Sequence, residues 1–190
     1  KTGELSNENH IADTLTDRRI SALARLRNGN LVVGTWNGLN WIDIQGGLIR
    51  QLTHVETKNK EVRVGFISDL LVDGNNQLWV ATEGEGLIGI DLANPSAPAV
   101  HFNHLNGLTD NVVRSLQADS YGRIWVGSRD GISVIEAGQS HARAIQGKDK
   151  RLFAPYYRGA SAIRDDGMLL MGGSGGVTLI DTHKFDETDT

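Results

Sequence analysis

Four copies of one pattern, spaced about every 45 residues, constrain this chain more than any other feature of its sequence. The copies run from Leu23 to Asp43, Leu70 to Asp91, Leu116 to Glu136 and Ile163 to Asp181. In each, an apolar run meets a polar turn, and a second apolar run passes through a small residue. A glycine then starts a third run that ends on an acid. The small residue falls at Gly34, Ala81, Gly127 and Gly172, in steps of 47, 46 and 45. The acid falls at Asp43, Asp91, Glu136 and Asp181, in steps of 48, 45 and 45. The longest step holds one extra residue, in the loop Glu83-Gly84-Glu85-Gly86. Units of this size bury their apolar faces only by stacking on one another.

The runs read as strands, because none of them carries a 3.6-residue apolar period. The first run ends at Leu26, Val72, Ala118 or Arg164. Asn28-Gly29, Tyr121-Gly122 and Asp166-Gly167 then offer the positive φ that a tight hairpin prefers. The second run, for example Leu78-Trp79-Val80-Ala81-Thr82, is apolar at consecutive positions, so both of its faces are covered. A third strand such as Gly131 to Ile135 follows. A weaker fourth strand is visible in three copies, at Ile49 to Leu52, Ala99 to Phe102 and around Ala144-Ile145.

Four antiparallel strands per ~45 residues, with sheets covered on both faces, are the dimensions of a β-propeller blade. The expected fold is therefore all-β: four four-stranded meanders, at about 15–60, 61–107, 108–152 and 153–190, forming one partial propeller domain over 1–190. A parallel β-helix would need far shorter repeats. In a propeller, the small residue of the second strand is expected to receive the neighbouring blade's Trp79 or Trp125. Four blades would leave an apolar face open at each end. Self-association, closure by residues near Leu5 as the missing outer strand, or further blades would cover those faces.

Composition agrees with many turns. Glycine contributes 23 of 190 residues, whereas proline contributes three and cysteine none. Lacking cysteine, the chain has no disulfide framework, thiol nucleophile or thiolate metal site. A net charge of −4 argues against a nucleic-acid partner. No apolar run approaches the ~20 residues of a membrane span. The start, Lys1-Thr2-Gly3-Glu4, lacks an initiator Met and a signal-like apolar stretch, so the chain reads as part of something larger.

Leu108-Thr109-Asp110-Asn111, then Leu116, Asp119, Gly122, Ile124-Trp125-Val126-Gly127-Ser128 and Gly131-Ile132, resemble the two-component-regulator propeller repeat. The pattern recurs from Leu15-Thr16-Asp17 to Leu39 and from Leu70 to Leu87. Tyr156 to Ser161, with Asp166 to Gly173, depart from it and resemble the family's final blade. The resemblance implies an extracytoplasmic, periplasmic sensor, usually with two seven-bladed propellers. An immunoglobulin-like domain, a membrane helix and a kinase or cyclase output would follow in segments outside this chain. The motif implies architecture and leaves the signal unnamed.

The sequence offers no catalytic constellation. His101 and His104 lack an acid at metal-ligand spacing. Asp73-Gly74-Asn75-Asn76-Gln77 lacks the sixth-position glycine and twelfth-position acid of a calcium loop. Gly172 to Gly176 precedes no helix that could cradle phosphate. Arg18, Arg19, Arg25 and Arg27 have no interleaved aromatic platform for a single strand of nucleic acid. No metal, cofactor or catalytic residue is expected.

Any ligand should meet the loops between second and third strands, which packing leaves free. They present Trp36, Asn37, Glu83, Glu85, Arg129, Asp130 and Ser174. The segments leading into the first strands add Asp17-Arg18 and Asp110-Asn111 on the same rim. A Trp beside amide and charged groups suits a small molecule or an oligosaccharide. The function expected is a non-catalytic sensor segment that binds such a ligand. A propeller enzyme of lyase or lactonase type and a structural dimerisation scaffold are the alternatives. The first strands offer mainly Leu23, Leu26, Leu70, Val72, Leu116 and Ala118, not the acids and histidines of an enzyme.

Overall fold

The computed structural model describes residues 14–43, 47–145 and 153–185, and the chain folds as successive antiparallel meanders. The first sheet is β1 (Ile20–Arg25), β2 (Leu31–Thr35), β3 (Gly38–Asp43) and β4 (Gly47–Leu52). A hairpin, β5 (His54–Glu56) and β6 (Glu61–Arg63), follows it. The second sheet is β7 (Ile67–Val72), β8 (Gln77–Thr82), β9 (Leu87–Asp91) and β10 (Val100–Phe102). The third is β11 (Val113–Ala118), β12 (Ile124–Ser128), β13 (Ile132–Ile135) and β14 (Arg143–Ala144). The fourth is β15 (Tyr156–Ile163), β16 (Met168–Gly173) and β17 (Gly176–Asp181).

The propeller-blade expectation holds, with one correction. Among the described residues the fourth sheet has three strands, and the position near Leu5 lies outside those residues. The β5–β6 hairpin has no signal in the repeat. Its Val55 and Val62 are buried in the core between the first two blades, and Ala99 N–H donates to Glu56 O at 2.7 Å.

Three apolar clusters correspond to the three junctions between consecutive blades. Blade 1 contributes Leu39 and Trp41 to the first, facing Ile67, Leu70 and Val80 of blade 2. Blade 2 contributes Leu87, facing Val113, Leu116 and Val126 of blade 3. Blade 3 contributes Ile132 and Val134, facing Tyr156, Leu169 and Met171 of blade 4. The innermost strands lie side by side in the order β1, β7, β11, β15, and β15 does not return against β1 in that way. The arc is open.

The small residue of the second strand is explained differently from the expectation. A Cβ on Gly34 would stand 2.6 Å from Ile67 Cγ2, so the space is needed by the next blade's innermost strand. Trp79 instead lies over Gly89 of its own sheet. The tryptophans are fixed by the turn before them. Asp73 accepts from Asn75 N (2.8 Å), Gln77 N (3.0 Å) and Trp79 Nε1 (2.9 Å). Asp119 does the same for Tyr121 N (2.9 Å), Arg123 N (3.0 Å) and Trp125 Nε1 (2.8 Å). One carboxylate thus closes the hairpin and satisfies the indole N–H that the core would otherwise strand. The aspartate–glycine–tryptophan motif is a folding device.

Each innermost strand is bulged where it begins, at Ser21, Ser68 and Arg114 in the first three blades. The bulged side chain is turned to the next blade. Ser21 Oγ donates to Ile67 O (2.5 Å), Ser68 Oγ to Val113 O (2.5 Å) and Arg114 Nη1 to Tyr156 O (3.2 Å). These three bonds stitch the junctions along the innermost strands.

Asp69 adds a fourth inter-blade bond, its Oδ2 accepting from Leu116 N at 2.8 Å. Burial raises its carboxyl pKa, against the lowering pull of the Leu116 and Leu70 amides. The folded chain therefore holds this proton more tightly than the unfolded chain does. Asp69 must cost stability as pH rises from the ordinary value of 3.8 through the raised one. Asp69→Asn keeps an acceptor oxygen and removes the ionisation. Its unfolding free energy relative to wild type is expected to rise as pH rises above 3.8 in urea titrations. A constant difference would contradict the assignment.

Candidate ligand-binding rim

In the first three blades the loop between second and third strands is closed by a hydroxyl at the end of the second strand. Thr35 Oγ1 donates to Gly38 O (3.0 Å), Thr82 Oγ1 to Gly86 O (2.8 Å) and Ser128 Oγ to Gly131 O (3.0 Å). The threonines of the two Leu-Thr-Asp segments plug these loops from above. Thr16 Oγ1 lies 2.8 Å from Thr35 Oγ1, and Thr109 Oγ1 lies 2.7 Å from Ser128 Oγ. The aspartates then turn the chain into the first strand, Asp17 accepting from Arg19 N (2.8 Å) and Asp110 from Val112 N (3.2 Å). Beyond the hydroxyl, side chains of these loops meet side chains of neighbouring segments.

They form one connected row. Arg19 lies over the Trp36 ring, with its guanidinium carbon 4.2 Å from the centroid. Trp36 stacks on Phe66 at 4.6 Å with planes 20° apart. The Arg158 guanidinium carbon lies 4.6 Å from the Phe66 centroid, and Arg158 Nε donates to Glu83 Oε1 at 2.9 Å. Arg114 Nε stands 3.6 Å from the same oxygen. The row takes Arg19 and Trp36 from blade 1, Phe66 and Glu83 from blade 2, Arg114 from blade 3 and Arg158 from blade 4.

Arg158 reaches the row because the innermost strand of blade 4 is bulged more widely than the others. Four residues, 157–160, lie between the paired Tyr156 and Ser161, opposite the single residue 172. Gly159 takes φ +64, a left-handed conformation that glycine adopts without strain. Tyr157 in the same bulge is exposed. Wide bulges re-aim side chains near functional sites.

Of the residues expected from sequence, Trp36 and Glu83 fall in this row. Asn37 adjoins it, its Oδ1 accepting from Arg63 Nη2 at 2.8 Å. Arg129 and Asp130 form a separate exposed pair, with Arg129 Nε 2.8 Å from Asp110 and 3.4 Å from Asp130. Glu85 turns its main chain outward, where its carbonyl lies 2.5 Å from His101 Nε2. Asn111 is spent on His104, whose N–H it accepts at 2.8 Å. Ser174 N–H is tied to Phe153 O at 2.9 Å. Sequence reasoning did not single out Arg19, Phe66, Arg114 or Arg158 for this rim. The longer first strand of the fourth copy, with its Tyr-Tyr-Arg-Gly run, was the available signal for Arg158.

Asp17 is the strongest titration on the rim. Hydrogen bonds from the Arg19 side chain and backbone lower its carboxyl pKa to about 2. It therefore stays ionised, and keeps Arg19 held over Trp36, across the neutral and mildly acid range.

Residues 107–130, the turn into blade 3 and its first hairpin, match the family described as "Two component regulator propeller". Blade 3 carries a two-component-regulator propeller repeat. Solved structures extend the likeness to the whole arc. Two are extracellular domains assigned to hybrid two component systems of B. thetaiotaomicron. One is 18% identical with a TM-score of 0.77, covering 94% of this chain and 23% of that one. The other is 19% identical with a TM-score of 0.77, covering 90% and 24%. A gluconolactonase from Xanthomonas campestris is 12% identical with a TM-score of 0.59, covering 87% and 60%. At these identities the likeness establishes the propeller fold. This chain spans about a quarter of the length of the two extracellular domains. No curated protein matches it in sequence. Among the described residues, no helix is long and apolar enough to cross a membrane.

Proposed function

We propose that this chain is a non-catalytic segment of an extracytoplasmic sensor propeller, and that the row from Arg19 to Glu83 is its ligand-binding rim. The single observation that carries this reading is the convergence of side chains from all four blades on one connected row. Of its members only Arg114 also stitches two blades together, through Tyr156 O; the hydroxyl plugs and the other stitches are made by other side chains. The propeller repeat and the similarity to extracellular sensor domains support the sensor role and its location. Outputs and membrane attachment would belong to other segments of a longer receptor.

The row indicates the kind of ligand. Phe66 and Arg19 both approach the Trp36 ring closely and cannot share one of its faces, so that ring is not an open stacking platform. The exposed Tyr157, the Arg158 edge and the Glu83 carboxylate are the groups left to meet a ligand. They suit a polar, hydroxyl-rich small molecule or oligosaccharide bound by charge-assisted hydrogen bonds beside an aromatic.

The test is calorimetric titration of the chain with a panel of neutral and acidic oligosaccharides, alongside Arg158→Ala. Arg158 is half exposed, and such a pair contributes at most about 1 kcal/mol to stability, so the variant should fold. Saturable binding is expected, weakened about tenfold or more by Arg158→Ala. Arg164→Ala, on the hairpin turns of the opposite rim, is expected to leave it unchanged. Binding indifferent to Arg158, or hydrolysis of lactone substrates by the purified chain, would contradict the reading.

A further inference from the structure

Arg158 is held on two sides and left open at its tip. Its guanidinium carbon lies 4.6 Å from the centroid of Phe66, and its Nε donates to Glu83 Oε1 at 2.9 Å. Gly159, next to it and left-handed, shapes the bulge that carries it. Among the described residues no acceptor meets its two terminal nitrogens, and the side chain is half exposed. A guanidinium fixed in this way presents a flat edge of donors, which a carboxylate matches with two parallel bonds.

The chain contains its own example of that pairing at the other end of the same aromatic stack. Arg19 lies over Trp36, which stacks on Phe66. Both oxygens of Asp17 are engaged there, Oδ1 by Arg19 Nε at 3.0 Å and Oδ2 by Arg19 Nη2 at 2.7 Å. Arg158 has the same aromatic support, but it meets only one carboxylate oxygen. That oxygen also stands 3.6 Å from Arg114 Nε, a buried donor with no hydrogen-bond acceptor among the described residues. Two arginines thus share one carboxylate, and the cluster carries one positive charge in excess.

We infer that the rim takes an acidic sugar, whose carboxylate pairs with the terminal nitrogens of Arg158 beside the exposed Tyr157. This deepens the reading of the row as a binding rim and rests on it. The ligand's carboxylate supplies the anion that the two arginines lack. Glu83 has two opposed effects, since it holds Arg158 in place and its charge repels the incoming carboxylate.

Calorimetry with a panel of uronic-acid oligosaccharides, each paired with the same oligomer after carboxyl reduction, tests this. At low ionic strength the acidic member of a pair is expected to bind about tenfold more tightly, or better. Arg158→Gln should cut that preference to about twofold or less. Glu83→Gln keeps an oxygen to accept from Arg158 Nε and removes the repelling charge, so the preference should grow about threefold. Misfolding cannot produce such a gain. Equal affinity for the two members, both weakened by Arg158→Ala, would overturn the inference and leave the binding rim standing. A preference that Arg158→Gln leaves intact, or that Glu83→Gln fails to raise, would place the anion elsewhere and overturn it too. Binding of neither member to the wild type would end both readings.

Discussion

Asp119→Ala is expected to lower the unfolding free energy by about 3–5 kcal/mol, the largest loss from one polar side chain here. The carboxylate is enclosed with the Arg123 guanidinium, their side chains 0% and 8% exposed, and Arg123 Nε donates to it at 2.6 Å. It also accepts the Trp125 indole and two backbone amides of the hairpin. Removing it leaves a buried cation without its counter-ion and an indole N–H without an acceptor. Arg123 is itself anchored, donating to Thr182 O at 2.5 Å and lying near the rings of Tyr121 and Phe185. The loss should therefore also loosen the segment after β17. Asp73→Ala provides the comparison. Asp73 closes the same turn and accepts from Trp79, but the turn has Gln77 where blade 3 has Arg123. Its cost is expected to be smaller, about 1–3 kcal/mol. Urea denaturation of both variants checks the order. Equal losses would show that the buried charge adds nothing to the turn.

Tyr156→Ala is expected to cost a similar amount, about 3–5 kcal/mol, by a different mechanism. The ring is fully buried at the junction of blades 3 and 4, among Trp125, Ile132, Val134 and Met171. Its hydroxyl lies 2.7 Å from Thr178 Oγ1, which ties β15 to β17. Truncation leaves a cavity between two blades and Thr178 short of a partner. Tyr156→Phe keeps the volume and loses only the hydroxyl contact, at about 1 kcal/mol. The pair separates packing from hydrogen bonding. If both cost the same, the cavity is filled by relaxation and the junction is softer than its packing implies.

The fold was legible because the repeat encodes a single unit, and one unit had only one way to hide its continuous apolar strands. Gly29, Gly122 and Gly167 take the positive φ expected at the hairpins, and Asn76 takes it in blade 2. The β5–β6 hairpin was not legible, since it occurs once and periodicity cannot report a single insertion. Sequence shows that residue 34 is small and not which neighbour needs the space, which is Ile67 and not a tryptophan. The rim positions of Trp36 and Glu83 are legible because both lie in loops between second and third strands. Those of Phe66 and Arg158 are not, because these residues lie in or beside innermost strands, where the repeat assigns only packing. Arg158 escapes that duty through an irregularity of register, which sequence shows only as a departure from the pattern.

On the proposed function, one rim of this arc, and not the other, meets the ligand. Amide chemical-shift mapping with an oligosaccharide that binds by calorimetry tests it most directly. Perturbations are expected at Trp36 and Asn37, at Glu83 to Glu85, and through the bulge at Tyr157 to Gly159. The hairpin turns of the opposite rim, around Gly29, Asn75, Gly122 and Gly167, should stay unmoved. Shifts confined to those turns, with the Arg158 bulge silent, would contradict the account.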